Sequence, residues 1–163
     1  MSGLILKQLS EADLERLLSL RMEVLAHVFA AAKERMAPER WAALAEANRA
    51  YYAAALRAGD HIAVVAEIGG ETVGCGGVCL YREMPSPDNE NGLCAYLMNV
   101  YTRRPYRRRG VAEAVCRRLI GEAKAAGAKK IYLETSAGAK ELYRSLGFSE
   151  MKDYFILEEE NND

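Results

Sequence analysis

Apolar positions along the chain follow two periods, and the switches between them mark out the elements. Leu4 to Leu9, His61 to Ile68, Thr72 to Tyr81, Leu93 to Thr102 and Ile131 to Thr135 are short runs of aliphatic, β-branched and aromatic residues that read as strands. Ser149 to Leu157 reads as a further, closing strand. Elsewhere the apolar residues recur every three or four positions. Leu14, Leu18, Met22, Leu25 and Phe29 share one face of a first helix, opened by Ser10-Glu11-Ala12-Asp13, a capping-box-like start with Asp13 in place of glutamate. Pro38-Glu39 opens a second helix, which runs through Trp41, Leu44, Ala45, Tyr51, Tyr52 and Leu56 to a stop at Gly59-Asp60. Val111, Val115 and Leu119, with Ala112, Cys116, Ile120 and Ala123, define a third helix that ends at Ala126-Gly127. A short fourth spans Ala137 to Leu146, before Gly147.

Turn residues tie these elements together. Gly69-Gly70 is a hairpin signal, and Met84 to Gly92 is a loop on composition alone. Gly74, Gly76 and Gly77 lie inside a strand and indicate a bulge or the close approach of another backbone. The order is strand, two helices, three strands, helix, strand, helix, strand. That is a mixed α+β layout with one βαβ crossover. We expect one domain over residues 1–157 and a frayed acidic tail over 158–163.

Composition narrows the function classes. With a net charge of -1 over 163 residues, a broad nucleic-acid face is not expected. No apolar run approaches the roughly 20 residues of a membrane span, and Met1-Ser2-Gly3-Leu4 does not open a secretory signal, so a cytoplasmic location is expected. Cys75, Cys79, Cys94 and Cys116 lack paired metal-ligand spacing and read as small core residues. No metal is expected.

Against this balance, Arg103 to Arg109 holds five arginines in seven residues, between a strand and a helix that opens at Gly110. Each positive charge at a helix N-terminus is unfavourable by ~0.3–1 kcal/mol, so repeated arginine there points to an anion. Free amides at the helix start, and a glycine that lets the backbone approach, suit a diphosphate. The plainer alternative is a solvated arginine cluster.

Arg107-x-x-Gly110-x-Ala112 resembles the [Arg/Gln]-x-x-Gly-x-[Gly/Ala] signature of the GNAT acetyltransferase superfamily. Ala139 to Phe148 is similar to its second signature, A-x-x-L-Y-x-x-L-G-F. The resemblance implies a GNAT-type fold: a mostly antiparallel twisted sheet with flanking helices and a βαβ crossover that binds acetyl-CoA. It further implies that the pyrophosphate lies on Arg107, Arg108, Arg109, Gly110, Val111 and Ala112, and the pantetheine arm along the main chain of Asn99, Val100 and Tyr101. Tyr143 matches the tyrosine that protonates the leaving thiolate. Its phenol, with an ordinary pKa near 10, stays protonated at neutral pH.

Two departures from the family accompany these matches. Many relatives carry an acidic residue on the strand corresponding to Tyr96–Tyr101, and none stands here. Glu134, Glu67 and Glu83 remain as candidate bases, with Glu134 placed beside Tyr143 in the catalytic set; a water relay or an already neutral acceptor would need none. Ser136 stands where many relatives have asparagine. His27 reads as a packed or surface histidine, and Trp41, Tyr51 and Tyr52 as core more than substrate cage. Selectivity is expected between Phe29 and Tyr52 or in the loop Met84–Gly92. The expected activity is direct acetyl transfer from acetyl-CoA to a primary amine of a small molecule or peptide, by a monomer or homodimer. A non-catalytic acyl-CoA sensor is the alternative; a nucleic-acid contact at the arginine turn would instead show a steep salt dependence.

Overall fold

The computed structural model describes residues 3–152 and 154–157. Strand β1 (Leu4–Leu9) leads through a 3-10 turn into helix α1 (Leu14–Val28), followed by α2 (Ala30–Arg35) and α3 (Pro38–Ala58). Strands β2 (His61–Ile68), β3 (Glu71–Arg82) and β4 (Leu93–Thr102) come next. Helix α4 (Val111–Ala125), strand β5 (Lys130–Leu133) and helix α5 (Lys140–Ser145) complete the regular elements. The strands form one sheet in sequence order, antiparallel from β1 to β4. Only the β4–β5 pair is parallel, so α4 is the crossover of a βαβ unit.

Alternation along β2 sends its side chains into two cores. Ile62, Val64 and Ala66 meet Val111, Val115, Cys116 and Leu119 of α4, while Ala63 and Val65 meet Leu17, Leu20 and Val24 of α1 and Tyr52 of α3. The expected capping box is present, with the Ser10 amide donating to Asp13 Oδ2 at 2.9 Å. The glycines of β3 do serve close approach. A Cβ on Gly76 would stand 2.8 Å from Val115 and 2.9 Å from Leu119, and one on Gly74 would stand 2.8 Å from Val111. Bare backbone there lets α4 lie flat on the sheet.

Three readings need correction. The buried residues of α1 are Leu17, Leu18, Leu20, Val24 and Leu25, whereas Phe29 is exposed and Leu14 and Met22 are only partly covered. The helix is clamped between the sheet and α3, so its buried arc is wider than one stripe and rotated from the expected one. The short α2 was not anticipated; its alanine-rich sequence buries no side chain and leaves no apolar period to read. Finally, Ser149 to Lys152 and Tyr154 to Leu157 form no strand. An apolar pattern becomes a strand only through a neighbour's hydrogen bonds, and Phe155, 99% exposed, packs on none. Asp153 and the tail 158–163 lie outside the described residues.

Candidate active site

The site begins where β4 loses its parallel partner. Pairing with β5 runs from Cys94↔Lys130 to Leu97↔Leu133 and stops there, so the second half of β4 faces β5 with unpaired main chain. At that point the β3–β4 register slips: Cys75 pairs with Tyr101 and Gly77 with Met98, setting Asn99 and Val100 against Gly76 alone. Asn99 takes up the extra residue at φ 57°, a left-handed conformation that asparagine tolerates. The bulge resets the alternation of side chains. Val100 packs with the α4 core and Tyr101 with the α1 core, while Met98 and Asn99 border one cavity on the α1 side.

Beyond Thr102 the chain turns through Arg103–Gly110 into α4. Left-handed φ angles at Arg108 (61°) and Gly110 (74°) curl the backbone inward. The first bond of α4 is Ala114 N–H to the Gly110 carbonyl at 3.0 Å. The amides of Arg108 to Glu113 therefore have no protein acceptor among the described residues. The five arginines divide by role. Arg103 grips both carboxylate oxygens of Glu23 (3.0 and 2.8 Å) and donates to the Thr72 carbonyl at 2.7 Å, fastening the turn to α1 and β3. Arg107 donates from Nε to the Thr102 carbonyl at 3.1 Å, and its Nη2 lies 2.8 Å from Nε2 of the exposed His27. Arg104, Arg108 and Arg109 are exposed and make no ion pair among the described residues.

A cleft of about 940 Å³ lies along β5 and α5, and Tyr132, Glu134, Thr135, Tyr143 and Met151 are among its walls. Tyr143 packs against the α4 core and edge-on to Phe148, with ring centres 6.0 Å apart. Burial, and secondarily the Cys116 thiol, push its phenol up to about 12. Of the three candidate bases, Glu67 is held by Lys7 and Arg16, each at 2.5 Å, and Glu83 by Lys130 and Asn89, each at 3.1 Å. Glu134 is exposed and has no such partner among the described residues.

A second cavity of about 220 Å³ opens on the α1 side of the bulge, lined by Arg21, Asn48, Tyr51, Tyr52, His61, Met98 and Asn99. Arg21 donates from Nε to Asn48 Oδ1 at 3.1 Å and from Nη1 to Asn99 Oδ1 at 3.0 Å. His61 is 5% exposed; burial, then the charge of Arg21, lowers its pKa to about 4 and keeps it neutral. Its Nδ1 lies 3.0 Å from the Tyr51 hydroxyl, and a Cβ on Gly77 would stand 2.7 Å from its Nε2. Burial and the adjacent Cys79 hold the Tyr51 phenol above its usual range. Tyr96 packs beside Tyr132, a wall of the larger cleft. Its ring centre is 5.1 Å from that of Tyr132, and its phenol, raised by burial, feels both Glu134 and Arg21.

The model of the Acetyltransferase (GNAT) family matches residues 23–148. The chain belongs to the GNAT acetyltransferase family. It is an acyltransferase of this fold. Among solved structures it is similar to a predicted acetyltransferase with acetyl-CoA from Clostridium acetobutylicum, at 21% identity and TM-score 0.79, over 95% of this chain and 96% of that one. A GCN5-related N-acetyltransferase from Ralstonia eutropha matches at 22% identity and TM-score 0.77, over 95% and 98%. An aminoglycoside N-acetyltransferase in complex with CoA matches at 16% identity and TM-score 0.71, over 96% and 95%. No curated relative matches the chain. No helix among the described residues is long and apolar enough to cross a membrane.

In this GNAT chain the residues singled out from sequence form two groups. Asn99, Val100 and Tyr101 lie on the unpaired half of β4, which leads into the turn of Arg107, Arg108, Arg109, Gly110, Val111 and Ala112. Tyr143 and Glu134 line one cleft. The structure adds Arg21, Asn48, His61 and Met98. Arg21 had a legible signal, a cation whose neighbours three and four positions away (Leu17, Leu18, Val24 and Leu25) are all apolar and all buried. His61 had none, since a histidine opening a strand is unremarkable until burial shifts it. Tyr52 is core as expected, but Tyr51 is 38% exposed at the cavity mouth.

Proposed function

We propose that this acetyltransferase transfers the acetyl group of acetyl-CoA directly to a primary amine of a small molecule or peptide. The observation that carries the reading is the parting of β4 from β5 after Leu97, ahead of a turn whose six amides from Arg108 to Glu113 meet no protein acceptor among the described residues. Such a turn fits a diphosphate, and unpaired strand backbone fits an amide-bearing arm that adds to the sheet edge. Acetyl-CoA supplies an activated thioester carbonyl. Solved relatives of the same fold that hold acetyl-CoA or CoA support that choice of co-substrate.

The chain's own groups then divide the proton work. Tyr143, with its phenol at about 12, keeps its proton at neutral pH and gives it to the departing sulfur. Glu134, uncommitted and in the same cleft, takes the proton that an ammonium acceptor must lose before attack. Burial raises the thiols of Cys75 and Cys116 to about 12 and raises that of Cys94 as well, so none of these is a thiolate nucleophile. That favours direct transfer over an acyl-enzyme. The test is calorimetric titration with acetyl-CoA, followed by chromatographic detection of CoA released in the presence of an amine panel. Tight binding with turnover is the expected result. Binding without turnover of any amine would leave a sensor, and a folded protein with no affinity for acetyl-CoA would overturn the reading altogether.

A further inference from the structure

We propose that the cavity at Arg21 receives the carboxylate of the acceptor, so that the amine acetylated here belongs to a small amino acid-like molecule and not to a polycation. This rests on the acetyl-transfer reading and names the substrate class of the same site. Arg21 holds a full positive charge at the edge of the core, where a bound anion is less screened than in open water. It sits half-buried on α1, where the residues three and four positions away (Leu17, Leu18, Val24 and Leu25) are buried, and its guanidinium reaches across to Asn99 of β4 and borders the cavity. Its fixed partners, Asn48 Oδ1 and Asn99 Oδ1, are neutral acceptors that orient the guanidinium without cancelling it. No carboxylate pairs with Arg21 among the described residues, although thirteen such pairs form elsewhere in the chain.

The remaining walls reinforce the charge. Tyr51, Tyr52, Met98 and a neutral His61 contribute no negative group, so among the described residues lining the cavity Arg21 alone is charged. Two of its five N–H donors are taken, and Nη2 has no protein acceptor among the described residues. A planar carboxylate matches a guanidinium held in that way. The location is also apt. Asn99, which orients Arg21, is the bulge residue of β4 just past its parting from β5, so the anion would be bound beside the proposed acyl end of the cofactor channel. Glu134, in the larger cleft, is a carboxylate suited to the acceptor's ammonium. A cavity of about 220 Å³ is below the roughly 300–1,000 Å³ of drug-sized pockets, which suits a small anionic head and not a sugar ring system.

The experiment uses the full chain with acetyl-CoA and matched acceptor sets. Glycine, β-alanine, 4-aminobutyrate and a series of L-amino acids are each compared with the corresponding amide and with the amine lacking the carboxylate; spermidine and kanamycin serve as cations. Released CoA is followed chromatographically, and binding of the free carboxylates to the enzyme–CoA complex by calorimetry. At least one carboxylate should exceed its own amide by tenfold or more in kcat/KM. Arg21→Gln should erase that preference, mainly through KM, with acetyl-CoA affinity unchanged, and Arg21→Lys should retain part of it. Better turnover of amides or polyamines overturns the proposal, as does a carboxylate preference that survives in Arg21→Gln. Carboxylates that neither bind nor react, on an enzyme that does bind acetyl-CoA, overturn it alone. Absence of acetyl-CoA binding takes down the acetyl-transfer reading, and this inference with it.

Discussion

At the end of β4 the polar groups left free, among the described residues, are main-chain amides of one continuous stretch, Arg108 to Glu113. On the α1 side of the same strand they are side chains drawn from four separate elements: Arg21 on α1, Asn48 and Tyr51 on α3, His61 on β2 and Asn99 on β4. The first region is specified by local backbone conformation, so its chemistry changes little when exposed side chains change. The second exists only while four elements stay packed, and each side chain in it depends on the others. Arg21 is aimed by two amides, and His61 is kept neutral by burial. The proposed site for a constant diphosphate suits the first construction. A site that distinguishes acceptors suits the second.

The largest expected effect that sharpens this contrast concerns His61. Unfolded, its imidazole protonates near 6.5, whereas in the fold burial lowers that to about 4. Between those values the unfolded chain binds the extra proton, so folding stability falls on acidification across that window by up to about 3 kcal/mol and is fully present above it. Denaturant unfolding at stepped pH should show this slope in the native protein and lose it in His61→Gln; equal slopes would mean the cavity is wetter than its packing indicates. Next is Tyr143→Phe, which should lower kcat by about a hundredfold while leaving the acetyl-CoA dissociation constant unchanged. A parallel loss of affinity would make Tyr143 a binding group instead.

The remaining two probe the backbone side. Gly110 holds φ at 74°, so Gly110→Ala introduces a strain of about 1 kcal/mol at the turn and should weaken acetyl-CoA binding about fivefold by calorimetry. The smallest effect is expected for Arg109→Ala, where an exposed charge without an ion pair should change affinity by less than about threefold at 0.15 M salt and somewhat more at low salt. If Arg109→Ala proves worse than Gly110→Ala, the turn works through guanidinium groups and the contrast drawn above fails.

How legible each region is follows the same division. Gly110, the three arginines before it and the strand-turn-helix around them are contiguous, so their spacing alone places them. The role of Arg103 was hidden, because Glu23 lies eighty positions away and only the fold makes it a partner. Glu67, Glu83 and Glu134 are equivalent as letters. Lys7, Arg16 and Lys130 occupy the first two and leave the third. The closing strand over 149–157 failed for a related reason: alternation describes one strand, whereas pairing requires two.

From its sequence alone this protein's five strands, its three long helices and the crossover at the arginine turn were legible, because hydrophobic period, turn residues and helix ends are local properties of a chain. Packing decided the rest. The register slip at Gly76, the neutrality of His61 and a charge on Arg21 that meets no carboxylate among the described residues come from residues far apart in sequence whose desolvation and hydrogen bonding are defined only once the sheet and its helices meet.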